Sequence, residues 1–173
     1  LEARVDRETF TISYGGQPTE VRRYPISIEW PPAALQVQPP VAECRARVRQ
    51  RLGLAPDVKL GVGVDRLDYT KGIPQKLRAM SRCWEHHPEL QGRTSLFQVV
   101  VPSRTDIPKY DALKTEIERL VGEINGRFSR VDWNPVHYLF GSLERSELVA
   151  LYRTAEVGLV TPLKDGMNLV SKE

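Results

Sequence analysis

The stretch KLGVGVDRLDYTKGIPQKL, residues 59–77, sets the reading of the fold. It opens on a short apolar run, Lys59–Val64, continuous rather than alternating, the pattern of a strand buried on both faces. A polar loop follows, Asp65 to Gly72. Ile73, Leu77, Met80 and Trp84 then fall at helical spacing, so the third part is an amphipathic helix. His86, His87 and Pro88 end it.

The same unit recurs downstream. Leu96–Val101 is a second apolar run. Leu113, Ile117, Leu120, Val121 and Ile124 mark one face of a long helix, with Asp106 expected as its N-cap and Pro108 in its first turn. Val136–Phe140 reads as a third strand, Leu148, Leu151, Tyr152 and Ala155 as a third helix, Val157–Val160 as a fourth strand, and Asn168–Glu173 as a new helix. Apolar strands alternating with helices predict an α/β fold, a Rossmann-like doubly wound parallel sheet. Upstream, Val41–Leu52 reads as an Arg-rich helix closed by Gly53. Thr9–Tyr14 and Val21–Ile28 read as strands about a Gly15-Gly16 turn. Pro31, Pro32, Pro39 and Pro40 punctuate a linker. A boundary is therefore expected near residue 38, between a β-rich piece, 1–38, and an α/β piece, 39–173.

Charge excludes some partners. The 25 basic and 22 acidic residues leave a net +3, too balanced for a general nucleic-acid or membrane surface. Arg45, Arg47, Arg49 and Arg51 spread around their helix axis and read as a solvated surface. No apolar run approaches the ~20 residues of a membrane span, and no signal peptide is visible. Cys44 and Cys83 stand in no metal-ligand spacing and read as reduced thiols, which points to the cytoplasm. His86-His87 is better read as a helix end than as a metal site, since adjacent side chains diverge on a helix. Trp30, Trp84 and Trp133 read as packing residues. The sequence starts at Leu1 without a methionine and stops at Glu173 inside an expected helix, so the natural protein is expected to continue.

In doubly wound sheets ligands bind beyond the carboxyl ends of the strands, which selects the loops to inspect. The first carries two cations, Arg66 and Lys71, ahead of a helix, with Gly72 allowing close backbone approach. It reads as a phosphate clamp, or as a solvated loop in which Asp65 or Asp68 pairs Arg66. The second adds Arg104, suited to forked phosphate contact or to pairing with Asp106. The fourth places Asp165-Gly166 before an expected helix. There Asp165 could accept bonds from hydroxyls or cap the helix.

The segments GVDRLDYTKGIPQKL, VVVPSRTD, EINGRF and VGLVTPLKDGMNLVSKE, in this order and spacing, resemble the signature blocks of the trehalose-6-phosphate synthases. The resemblance runs from about Tyr24 to Glu173. It implies a GT-B glycosyltransferase, two facing Rossmann-like domains, that transfers glucose with retention from UDP-glucose to glucose 6-phosphate. No cofactor and no metal are implied. The partners are those two small molecules, with no nucleic acid and no membrane, and a homo-oligomer is left open.

By position, the resemblance makes Arg66 and Lys71 the grip on the donor diphosphate and Asp165 the carboxylate on glucose hydroxyls. These three are the candidate catalytic residues. Arg104 corresponds to the residue that meets the acceptor's 6-phosphate. Gly166, Met167 and Asn168 would offer backbone contacts to the sugar, and Leu169 and Val170 backbone amides to the diphosphate. Glu173 would hold the ribose. Ser142 and Leu143 lie where uracil is held, with Leu148 nearby. The family's N-terminal glycine loop and acceptor-side residues have no counterpart here. The resemblance therefore speaks for the whole enzyme, and this stretch alone is not expected to turn over. A transferase with another acceptor, such as a glucosylglycerol-phosphate synthase or a pseudo-glycosyltransferase, and a non-catalytic regulatory homologue stay open.

Overall fold

A computed structural model describes residues 3–172 apart from 23, 25, 30, 32, 105 and 106, with the backbone alone at residue 34. The expected N-cap Asp106 and the packing residue Trp30 thus lie outside the described residues, as does Glu173.

The N-terminal strands are β1 (Arg4–Asp6), β2 (Thr11–Tyr14) and β3 (Gln17–Glu20), an antiparallel sheet in the order β1-β2-β3. The expected strand over Val21–Ile28 is not formed by its described residues. Gly15 and Gly16 hold φ of +56 and +79 in a two-residue turn, and Tyr14 pairs Gln17 across it. Such a turn fixes the register at once, so the return strand begins at the polar Gln17 and accepts Pro18 on a sheet edge. Short α1 (Ala33–Gln36) leads to α2 (Val41–Leu52), which Gly53 closes in the left-handed conformation at φ +63.

The second sheet comprises β4 (Lys59–Arg66), β5 (Thr94–Val101), β6 (Val136–Phe140) and β7 (Val157–Gly158), with α3 (Ile73–His86), α4 (Pro108–Phe128) and α5 (Arg145–Thr154) between them. All its pairings are parallel, in the order β6-β5-β4-β7. The order reverses at β4, which is the doubly wound arrangement. β4 runs two residues past Val64, and β7 stops two short of Val160.

Both faces are covered, which explains the continuous apolar runs. On one face Leu96 and Val100 of β5 pack with Ile73, Leu77 and Trp84 of α3 and with Ile117, Leu120 and Ile124 of α4. On the other, Leu60, Val62 and Val99 meet Leu151 of α5 and Val48 and Leu52 of α2. Trp84 and Trp133 are core residues whose rings meet edge-on at 6.1 Å. Each indole N–H finds a hydroxyl, Thr94 at 2.8 Å and Ser95 at 2.9 Å, so neither is buried unpaired. Asn125, from the EINGRF block, donates to the Val136 carbonyl at 2.9 Å and accepts its N–H at 3.1 Å, fixing where β6 begins.

The arginines of α2 are more than a solvated face. Arg49 donates to the carbonyls of Ala55 and Val58, tying the helix end to the turn before β4. Arg51 pairs Glu147 of α5 at 2.6 Å, and Arg45 reaches the Arg153 carbonyl at 3.4 Å. Cys44 and Cys83 are free thiols. No described helix is long and apolar enough to cross a membrane.

Candidate active site

Arg66 is the last residue of β4, opposite Val101 of β5. Asp68 organises the turn after it. Its Oδ1 accepts the Thr70 backbone N–H at 2.9 Å and the Thr70 hydroxyl at 2.8 Å, while Oδ2 faces Arg66 Nη2 at 3.5 Å. Burial would raise the Asp68 carboxyl. The Thr70 bonds and the Arg66 charge outweigh it and hold the group below the usual carboxylate range. Of the two partners open to Arg66, Asp68 is the one met. At 3.5 Å and with the guanidinium side chain 60% exposed, that contact binds little and leaves Arg66 able to exchange it. Asp65 turns inward, away from Arg66, to Lys76.

Tyr69–Lys71 form a single 3-10 turn, ended by Gly72 at φ +66. Glycine is demanded here twice. The backbone is left-handed, and a Cβ would lie 2.7 Å from the Thr161 carbonyl oxygen. The close approach brings in the loop after β7. The Thr70 carbonyl accepts the N–H groups of Leu163 at 2.8 Å and Lys164 at 3.2 Å, so the two loops are stitched by backbone.

Across that seam Lys71 Nζ donates to Asp165 Oδ2 at 2.5 Å. The Asp165 loop is open to solvent, yet both side chains are only 18% exposed. Lys71 above all, then the amides of Met167 and Gly166, holds the Asp165 carboxyl below its ordinary range. Asp165 is therefore a charge partner of Lys71. Capping falls to Asn168, whose Oδ1 accepts the Val170 N–H at 3.0 Å and whose carbonyl accepts the Ser171 hydroxyl at 2.6 Å. The helix expected from Asn168 is, among the described residues, one 3-10 turn, Leu169–Lys172. Val170's amide, expected to face a ligand, is engaged by Asn168 here. Gly166 and Met167 are exposed and Leu169 is half-buried.

After β5, Arg104 is exposed and stands at φ +50, a region that costs a side chain energy. Its Nη1 donates to the Tyr110 hydroxyl at 3.4 Å. The Tyr110 ring meets Tyr69 edge-on at 6.2 Å, and Lys109 Nζ lies 4.0 Å from the Tyr69 centroid. The loops after β4 and β5 are linked this way. After β6 the Gly141 N–H donates to the Val100 carbonyl at 3.0 Å, Ser142 is exposed, and Leu143 packs on the α2/α5 core. Leu148, half-buried in α5, donates its N–H to the Glu144 carbonyl at 2.9 Å.

The structure thus gathers Arg66, Lys71, Arg104, Asp165 and Ser142 along one sheet edge. Reading the sequence missed Thr70 and Tyr110. Asp68-x-Thr70 carries a readable signal, the Asx turn. Tyr110 carries none, because only the folded loop aims Arg104 at it. The His86-His87 pair ends α3, with the His87 N–H on the Cys83 carbonyl at 2.9 Å. The described residues hold no group of three His, Cys, Asp or Glu placed to bind a metal.

Cations for phosphate and a carboxylate for hydroxyls at the carboxyl ends of a doubly wound sheet suit a phosphorylated sugar ligand. A family profile described as glycosyltransferase family 20 matches residues 1–173. The chain belongs to glycosyltransferase family 20. Among its relatives, the UDP-forming α,α-trehalose-phosphate synthase of Schizosaccharomyces pombe is 44% identical over 94% of this chain and 31% of its own. A Burkholderia xenovorans UDP-forming α,α-trehalose-phosphate synthase, in complex with glucose-6-phosphate, superposes with a TM-score of 0.78 at 38% identity, over 94% of this chain and 35% of that one. An E. coli structure of trehalose-6-phosphate bound with UDP-2-fluoro glucose gives a TM-score of 0.85 at 32% identity, over 99% of this chain and 37% of that one. The family 20 chain thus spans about a third of the length of these relatives.

Proposed function

We propose that this chain supplies the donor-binding side of a GT-B enzyme that transfers glucose, with retention, from UDP-glucose to glucose 6-phosphate. Residues 1–38 are then the end of the acceptor-side domain and its linker, and 39–173 the first part of the nucleotide-sugar domain. The observation that carries the reading is the seam at the sheet edge. Lys71 and Asp165, 94 residues apart, meet at 2.5 Å, and Lys71 lies on the loop that follows the exposed Arg66. A sugar diphosphate seated there offers each a new partner, phosphate oxygens for Lys71 and sugar hydroxyls for Asp165. The free thiols fit the reducing cytoplasm.

Cleavage of the donor bond builds charge on the departing diphosphate. Arg66 and Lys71, already gathered at the strand ends, stabilise that charge more than the ground state. In the enzyme that carries this chain, Arg66→Ala is expected to lower kcat about 100-fold, the usual loss for one preorganised donor. Arg104 acts on the acceptor, so Arg104→Ala should raise KM for glucose 6-phosphate more than for UDP-glucose. The reverse pattern would remove it from acceptor recognition. The deciding assay incubates the enzyme with UDP-glucose, with and without glucose 6-phosphate, and quantifies UDP and disaccharide phosphate. UDP release dependent on glucose 6-phosphate supports the proposal. Donor binding without turnover sinks the acceptor assignment.

A further inference from the structure

The loop that bears Arg66 and Lys71 hangs between two stems, the end of β4 and the start of α3. Beneath it the stems are joined by an ion pair. Lys76 Nζ, one turn into α3, donates to Asp65 Oδ2, the residue just before Arg66, at 2.7 Å, and both side chains are 2% exposed. Gln98 of β5 adds a third side, its Nε2 donating to the same Oδ2 at 3.1 Å and to the Val99 carbonyl at 3.1 Å. Gly63 makes the room. A Cβ there would lie 2.4 Å from Gln98 Oε1 and 2.7 Å from Lys76 Nζ. The burial is imperfect even so, since Gln98 Oε1 is buried without a hydrogen-bond partner.

Such an arrangement is a poor way to gain stability. Two buried charges replaced by apolar groups of similar volume usually leave a protein as stable or more so. The surroundings would accept them, because Ile73, Leu77, Leu96 and Val100 line the same face. What the pair supplies is direction. Apolar contacts let a helix slide or turn by fractions of an ångström, whereas a charge-assisted bond fixed on both sides does not. Lys76 N–H also donates to the Gly72 carbonyl at 2.9 Å, so the helix turn holding the ammonium begins where the loop ends. The pair therefore sets the separation and rotation of the two stems from which both cations project.

We propose that Lys76, with Asp65 and Gln98, is a positioning residue for the donor-diphosphate clamp formed by Arg66 and Lys71; this rests on the donor-site reading above. It touches no substrate and acts only through the loop it anchors. A shift of about 1 Å in such a clamp costs on the order of 100-fold in rate.

The test uses the intact two-domain enzyme that carries this chain. The double variant Asp65→Leu/Lys76→Met removes the pair at near-constant volume, and Lys76→Arg keeps the charge. Melting temperature, UDP affinity, kcat and both KM values are measured. Expected is a double variant that melts within a few degrees of the parent, with kcat reduced about 100-fold. UDP should bind it more weakly, and KM for glucose 6-phosphate should change by less than about threefold. Lys76→Arg should recover at least about tenfold of the lost rate, as the chemistry of a retained charge predicts. A folded double variant with parental kcat and UDP affinity overturns the proposal. Equal damage to both substrates, together with a lowered melting temperature, also overturns it, because that is the mark of a structural residue. An unmodified enzyme that does not bind UDP defeats the donor-site reading itself, before any variant is compared.

Discussion

Two lysine–aspartate pairs lie on either side of one loop, and they are built to opposite ends. Lys76–Asp65 sits under the loop at 2.7 Å with 2% exposure, made within one strand–helix unit and backed by Gln98. Lys71–Asp165 sits on top of it at 2.5 Å with 18% exposure, made between loops 94 residues apart. The inner pair is shut off from solvent, and removing either member leaves a charge in the core with only the neutral Gln98 amide beside it. The outer pair borders solvent and can trade each partner for a ligand atom. On the proposals above, identical chemistry serves rigidity in one place and exchange in the other, and burial decides which.

The sharpest way to break this contrast is Lys76→Met alone, which strands the Asp65 carboxylate in the core. The expected loss of stability is about 3–5 kcal/mol by denaturant unfolding. A loss under about 1 kcal/mol, the range of exposed pairs, would place the two pairs in the same class. Lys71→Ala should behave in the opposite way, with an unchanged melting temperature and kcat reduced about 100-fold. Wild-type turnover in that variant would leave the outer pair without a role in transfer. Gly72→Ala asks what holds the outer loops together. It forces a side chain to φ +66 against the Thr161 carbonyl, and a cost of about 1–2 kcal/mol is expected. If stability is unchanged, the backbone seam is slack and the ion pair alone holds it.

The smallest effect is one of pH. Lys71 keeps the Asp165 carboxyl below its ordinary 3.8. A depressed carboxyl contributes its stabilisation above that value and loses it as pH falls through the lowered one. Carbon-13 NMR titration of Asp165 should show a midpoint below 3.8 that rises in Lys71→Ala. An unmoved midpoint would show that Lys71 does not hold the carboxylate in solution.

Reading the sequence found what periodicity encodes. The runs at Lys59, Leu96 and Val136 are strands because both faces of the sheet are covered, and their alternation with helices encodes the parallel α/β class, though not the order β6-β5-β4-β7. The strand expected over Val21–Ile28 is not formed by its described residues, because hydrophobic content does not encode turn geometry. Gly15-Gly16 starts the return strand at Gln17 whatever its polarity. The cations at the strand ends were legible, since position in the chain maps them to one sheet edge. Asp65 was legible only as a loop acid beside Arg66. Nothing local announces that β4 runs on through it and turns it toward a lysine eleven residues later. In the same way Asp165 reads as a hydroxyl acceptor or as a helix cap, and only the fold delivers Lys71 to it.

Arg104 stands where glycine would rest more easily, at φ +50. Side chains in that region cost about 1–2 kcal/mol. A protein engineer seeking heat resistance would select this position early. Relieving the backbone with glycine would delete the guanidinium proposed to meet the acceptor phosphate. On that proposal, robustness and acceptor recognition compete for a single residue.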